Sequence, residues 1–220
     1  MAAKRAFDEL FLTSAVHIAA KVGIENLRTK DVAEQAGFSE ATMFRHFESK
    51  EALLGTAFLS IDKKVSDLLL QSPLMSKSGA ESFDDFIYSV WHTVYRYLIN
   101  NSEEALFLLR FRYSSLYTDE IRAKRQAYNG AFDKAYAVFE KRFGPSSGMY
   151  RGFLINYIFE MTLCFSEKIF TGKLTDDADT EIRIWLVISA AVKALSSLSG
   201  AESEETAGIS GSGTAAEAVK

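Results

Sequence analysis

Residues 29–47 read TKDVAEQAGFSEATMFRHF. Val32, Ala33 and Ala36 recur at helical spacing and stop at Gly37, where a left-handed residue can close a helix. Thr29 reads as the N-cap of this first short helix, with Asp31 in its first turn. Ser39 then stands where a second N-cap is needed, ahead of a short helix over about 40–46. The product is helix, glycine turn, helix. Ala33 is small enough for the two helices to pack closely, and Phe38 plugs the turn. Met43, Phe44 and Phe47 include the buried face of the second helix. Glu40, Ala41, Thr42, Arg45 and His46 are left outward, with short side chains near the helix start. That pattern suits insertion of a helix N-terminus into a major groove.

The pattern continues on both sides. Phe7, Leu10, Phe11, Ala15, Ile18 and Val22 form a helical stripe over 4–22, stopped by Gly23. Ser49 can cap a fourth helix from Lys50 that runs through Leu53, Leu54, Ala57, Phe58, Ile61 and Val65 to about Leu70. A connector at 71–80 follows, containing Pro73 and Gly79. Ser82 and Asp85 resemble a capping box that opens the next helix. Further helices are expected from Ser102, from Thr118, over about 149–171 and over about 177–198. A loop is expected at 144–148. The spacing predicts no strand and no internal repeat.

Composition agrees. Only 2 prolines occur in 220 residues, where average usage near 5% would give about eleven. Both fall in expected connectors, which favours an all-α fold over a sandwich or barrel. The net charge of −4 speaks against a protein that coats nucleic acid. Its distribution is uneven, however. Residues 1–56 hold seven cations against eight carboxylates, and residues 201–220 hold Lys220 against four glutamates. Most of the acidity therefore belongs to the last twenty residues. That segment is Ala-, Ser-, Gly- and Glu-rich and has few bulky apolar groups, which predicts disorder over 200–220. The single cysteine, Cys164, excludes an intrachain disulfide framework. No apolar run approaches a membrane span, no signal peptide is visible, and the chain reads as cytoplasmic.

The stretch around 29–54 resembles the DNA-binding domain of the TetR family of transcriptional regulators. The resemblance is carried by Ala36-Gly37-Phe38-Ser39, Thr42-Met43-Phe44, Phe47 and Ser49-Lys50-Glu51-Ala52-Leu53-Leu54, with the lead-in Gly23-Ile24-Glu25-Asn26-Leu27-Arg28-Thr29. It covers about residues 5–56. It implies a three-helix helix-turn-helix domain over 1–56, a helical effector-binding and dimerisation domain over 57–199, and a tail at 200–220. It also implies that Thr29, Phe44 and Lys50 stand at phosphate-contact positions, that Lys30 can reach a phosphate or base, and that Glu40, Ala41, Thr42 and His46 face the groove. Arg28, Ser39 and Arg45 complete the expected DNA-binding set. Phe44 departs from the family's usual Tyr and so lacks a hydroxyl for phosphate.

The same resemblance implies a homodimer joined through about 149–198 and a near-palindromic DNA operator. It also implies a repressor released by a small, mostly apolar effector. Aromatics crowd residues 82–199, and polar residues inside the stripes stand out. Trp91, His92, Tyr95, Arg110, Tyr113, Tyr128, Phe132, Asn156 and Glu160 are the candidate lining, with Arg112 and Cys164 as further polar positions. The alternative is a helical protein-interaction module with weak or nonspecific DNA binding. The sequence holds no Walker A, Gly-x-Ser-x-Gly or His-Glu-x-x-His pattern, and no His follows a Glu at the spacing of di-iron bundles. No catalytic residue, metal site or cofactor is therefore expected.

Overall fold

In the computed structural model, the described part of the chain comprises residues 2–71, 82–128, 137 and 148–210. Among these residues the fold is all-helical. The elements are α1 (Ala2–Val22), α2 (Thr29–Gln35), α3 (Glu40–His46), α4 (Lys50–Gln71), α5 (Phe83–Asn100), α6 (Ser102–Arg112), α7 (Asp119–Tyr128), α8 (Gly148–Phe170) and α9 (Ala178–Ser210). Most of the connector expected at 71–80, the loop expected at 144–148 and Phe132 lie outside the described residues.

The local signals act largely as expected. At the end of α2, Phe38 N–H donates to Ala33 C=O at 2.9 Å and Gly37 N–H to Glu34 C=O at 3.0 Å. This double closure needs a left-handed residue, and Gly37 supplies it at φ +81°. Ser39 caps α3 by accepting from the Thr42 amide at 3.2 Å. Ser49 caps α4 through Ala52 at 3.1 Å, and Ser82 caps α5 through Asp85 at 3.2 Å. One assignment shifts. Arg28, not Thr29, occupies the N-cap of α2, and its side chain makes no cap bond. The Thr29 hydroxyl is engaged elsewhere.

One core runs through α1 to α6 and into α8. Phe11, Ala15, Val32, Ala33 and Met43 from the first three helices join Leu53, Leu54 and Phe58 of α4, Phe107, Leu108 and Phe111 of α6, and Leu163 of α8. The division expected after residue 56 therefore falls inside α4. The first turns of α4 close the three-helix unit, and its later turns enter the larger block. Gly55 marks a close approach within that block, since a Cβ there would meet Ile121 Cδ1 of α7 at 2.9 Å. A second cluster joins α5 to α9, with Trp91 and Tyr95 against Ile184, Ile188 and Val192.

The final helix continues to Ser210, into the tail expected at 200–220, and residues 211–220 of that tail lie outside the described residues. Residues 201–207, AESEETA, are rich in Ala and Glu, both good helix formers. A helix already nucleated at Ala178 extends through them more readily than a new one would start.

Candidate nucleic-acid interface and the buried polar centre of the helical block

Helix α3 owes its position to its inward side. Met43 is fully buried and Phe47 nearly so. The opposite side is open, with Ala41 and Arg45 exposed and Phe44 at 43% exposure. Phe44 thus lies outward, not on the buried face assigned to it from the pattern. Ser39 and Thr42 hydroxyls lie 2.9 Å apart, and Arg45 Nη2 donates to Thr42 Oγ1 at 3.1 Å. The cap, Thr42 and Arg45 form a single polar ridge at the start of α3.

Glu40 is tied down within the motif. It accepts from the Thr29 hydroxyl, so the first residues of α2 and α3 are joined. Its negative charge is partly satisfied there and does not need a base to accept from. Arg28 makes a two-pronged contact to Asp31 at 2.8 and 3.0 Å. Lys30 lies 3.8 Å from Glu34. The Arg28 and Lys30 side chains are largely exposed, and such surface pairs contribute little stability. They can therefore exchange partners for phosphate at small cost. Lys50 at the start of α4 donates to the Glu25 carbonyl at 3.3 Å.

His46 stands apart from this set. Its side chain is only 15% exposed, with Nδ1 2.5 Å from Asp8 Oδ1 of α1. Its ring packs against Phe11 and Phe7, at centroid distances of 5.7 and 6.1 Å. The helical period explains this. His46 follows buried Met43 by three residues and so shares its inward side. It anchors α3 to α1 instead of facing a groove.

Residues 11–57 match the family described as bacterial regulatory proteins, tetR family. The match spans α2, α3 and the flanking turns of α1 and α4. No curated protein sequence matches the chain significantly. Solved structures carry the likeness over the whole fold. A TetR family transcription regulator from Marinobacter aquaeolei VT8 is 22% identical with a TM-score of 0.64, covering 86% of this chain and 95% of its own. A putative tetR family transcription regulator from Shewanella sp. PV-4 is 18% identical with a TM-score of 0.66, covering 84% and 97%. FadR from Bacillus subtilis, solved in complex with stearoyl-CoA, is 16% identical with a TM-score of 0.60, covering 86% and 97%.

In the helical block, the described candidate lining residues lie in different surroundings. Arg110 Nη1 donates to the carbonyls of Ala19 and Ala20 at 2.6 and 2.8 Å, so it caps the C-terminal turn of α1. Tyr113 is 67% exposed, and Asn156 is also exposed. His92 and Arg96 reach Glu181 at 3.1 and 3.7 Å and bridge α5 to α9 near the surface. The Tyr128 side chain and Phe132 lie outside the described residues. A one-turn spacing shows that two side chains share a helix face. It does not show whether that face meets solvent or another helix.

Trp91 and Tyr95 are buried, stacked at 4.9 Å, and pack with Trp185 at 5.3 Å from Trp91. Among the described residues neither Trp91 Nε1 nor Tyr95 Oη finds a hydrogen-bond partner. Burial pushes the Tyr95 phenol up to about 12, with Glu181 adding to the effect.

The sharpest feature was only a secondary candidate in the sequence. The Arg112 side chain is 5% exposed and pairs with Glu160 at 2.7 Å. Its guanidinium lies 5.5 Å from the ring centres of both Tyr117 and Phe159. Its Nε and Nη1 have no partner among the described residues. Nearby, Arg125 donates to both oxygens of buried Asp62 at 3.0 and 2.8 Å. Burial works against the charge of Arg125, but Asp62 outweighs it and holds the guanidinium protonated. Among the described residues no cluster of three or more His, Cys, Asp or Glu is placed to hold a metal. None of their helices is long and apolar enough to cross a membrane.

Proposed function

We propose that this protein is a sequence-specific DNA-binding transcription regulator, a homodimeric repressor released by a small-molecule effector. The observation that carries the DNA reading is the presentation of α3. Its inner face is locked by Met43, Phe47 and His46, while Thr42, Phe44 and Arg45 project from its outer side. Arg28, Lys30 and Lys50 flank that helix and would contact phosphate, Thr29 would do so through its backbone N–H, and Ala41, Thr42 and Arg45 would meet the bases. Glu40 and Ser39 serve as internal struts.

Dimerisation is supported by α9. Ile182, Leu186 and Val187 are 58%, 59% and 50% exposed, and Ala190 continues the same face. Ile188 and Val192 are spent within the subunit against α5. An apolar face of this kind supports burial against the same face of a second copy. Two α3 helices held about 34–36 Å apart would then meet successive major grooves of a near-palindrome. Effector release is supported by the bound stearoyl-CoA in a protein of like fold and by the unpaired polar atoms of the helical block.

The test is a salt-dependent shift assay on the DNA flanking the gene. Lys50→Ala should weaken binding on every sequence and lower the salt slope by about one. Thr42→Ala should instead act mainly on base preference. If no genomic fragment gives a sequence-specific complex, the regulator reading is wrong.

A further inference from the structure

Arg112 closes α6 with its side chain 95% removed from water, yet only part of its hydrogen-bonding capacity is used. A guanidinium presents five N–H donors in a fixed plane. Glu160 takes one through Nη2 at 2.7 Å, and those on Nε and Nη1 have no acceptor among the described residues. The neighbouring cations are better supplied. Arg125 is held by both oxygens of Asp62, and Arg122, 5.2 Å from the Tyr117 ring centre, is held by Asp119 at 2.6 Å. The surroundings of Arg112 are otherwise aromatic. Phe58 and Phe111 stack at 4.6 Å, and Tyr117 meets Phe58 edge-on at 5.4 Å.

We infer that Arg112 anchors the acidic head of the effector, a monocarboxylate whose apolar body lies along the aromatic surface of Tyr117 and Phe159. This rests on the effector reading of the helical block and names its ligand class. A carboxylate matches the planar donor set and the positive charge together. A neutral acceptor would satisfy the donors and leave the charge, and a cation would be repelled. Glu160 is the exchangeable partner. Its side chain is 42% exposed, so it can turn to water when a ligand carboxylate takes its place. Arg110, two residues earlier on α6, holds the last turn of α1, and α1 holds α3 through Asp8 and His46. A ligand that moves α6 therefore bears on the helix that steadies the DNA-reading element.

The test uses the full-length protein without DNA, by titration calorimetry. Sodium decanoate and 4-phenylbutyrate are compared with their amides and with decyltrimethylammonium. At least one acid should bind saturably, and tenfold or more tighter than its amide, a ratio expected of a charge-assisted bidentate contact. Arg112→Met should remove that preference, so that in the variant acid and amide bind alike. Glu160→Gln weakens the competing acceptor at a half-exposed site and should tighten acid binding several-fold. Acid and amide binding alike, no binding by either acid, or a Glu160→Gln variant that binds acid no better would each overturn the inference. Because DNA is absent, a protein that binds acid but no operator would sink the regulator reading and leave this site standing.

Discussion

The helix-turn-helix and the helical block behind it treat buried polar atoms differently. In α1–α3 the interior is closed. Phe11, Val32, Ala33 and Met43 fill it, and the polar groups at its edge answer one another, as Asp8 with His46 and Thr29 with Glu40. In the helical block four buried side-chain atoms lack partners among the described residues: Trp91 Nε1, Tyr95 Oη, and Nε and Nη1 of Arg112. An unanswered buried donor costs about 1–3 kcal/mol. On the proposed function the contrast has a reason: a reading head must keep one shape, whereas an effector domain must leave chemistry for its ligand to complete.

The largest expected effect separates two arginines of the same block. Asp62→Ala strands the buried Arg125, and unfolding by urea should show a loss of about 3–5 kcal/mol. Arg112→Met removes a charge that is already under-paired, so it should be neutral or stabilising. If both variants lose equal stability, the contrast between the paired and unpaired arginine is wrong. Ser39→Ala tests the closed side. It removes the α3 cap and should cost about 1 kcal/mol, with weaker operator binding in the same variant. An intact melting curve and unchanged DNA affinity would show that the cap does not hold the reading helix.

Tyr95→Phe carries the smallest effect, and its sign matters. It deletes an orphaned hydroxyl, so stability at neutral pH should hold or rise by up to about 1 kcal/mol. The phenol of Tyr95 is raised from 10.0 to about 12, chiefly by burial. Above pH 10 the unfolded chain gives up this proton while the folded chain keeps it, so stability falls between about pH 10 and 12. Tyr95→Phe should remove that share of the alkaline loss. A destabilised variant at pH 7 would mean that the hydroxyl is satisfied after all.

Legibility followed the range of the interactions. Gly37, Ser39, Ser49 and Ser82 act within a few residues of themselves, so the turn and three caps could be read directly. His46 and Phe44 exchanged their expected sides: the helical period puts His46 on Met43's side of α3, but only the arrival of Asp8 and Phe11 of α1 gives it partners there. Arg110 sits two residues from Arg112, yet one is bonded to α1 and the other lies among the aromatic rings. No local pattern distinguishes them, since their hydrogen-bond partners lie 48 to 91 residues away in the chain.

By itself, then, the order of residues determined an all-helical chain with a helix, glycine turn, helix motif near its start, because propensity, capping and periodicity are local. Tertiary structure decided which polar side chains are spent inside the fold. It tied Glu40 to Thr29 and His46 to Asp8, gave Ile188 and Val192 to the subunit core, and left Arg112 buried with donors to spare. Those outcomes depend on which helices meet, and burial is a property of that meeting rather than of any one segment.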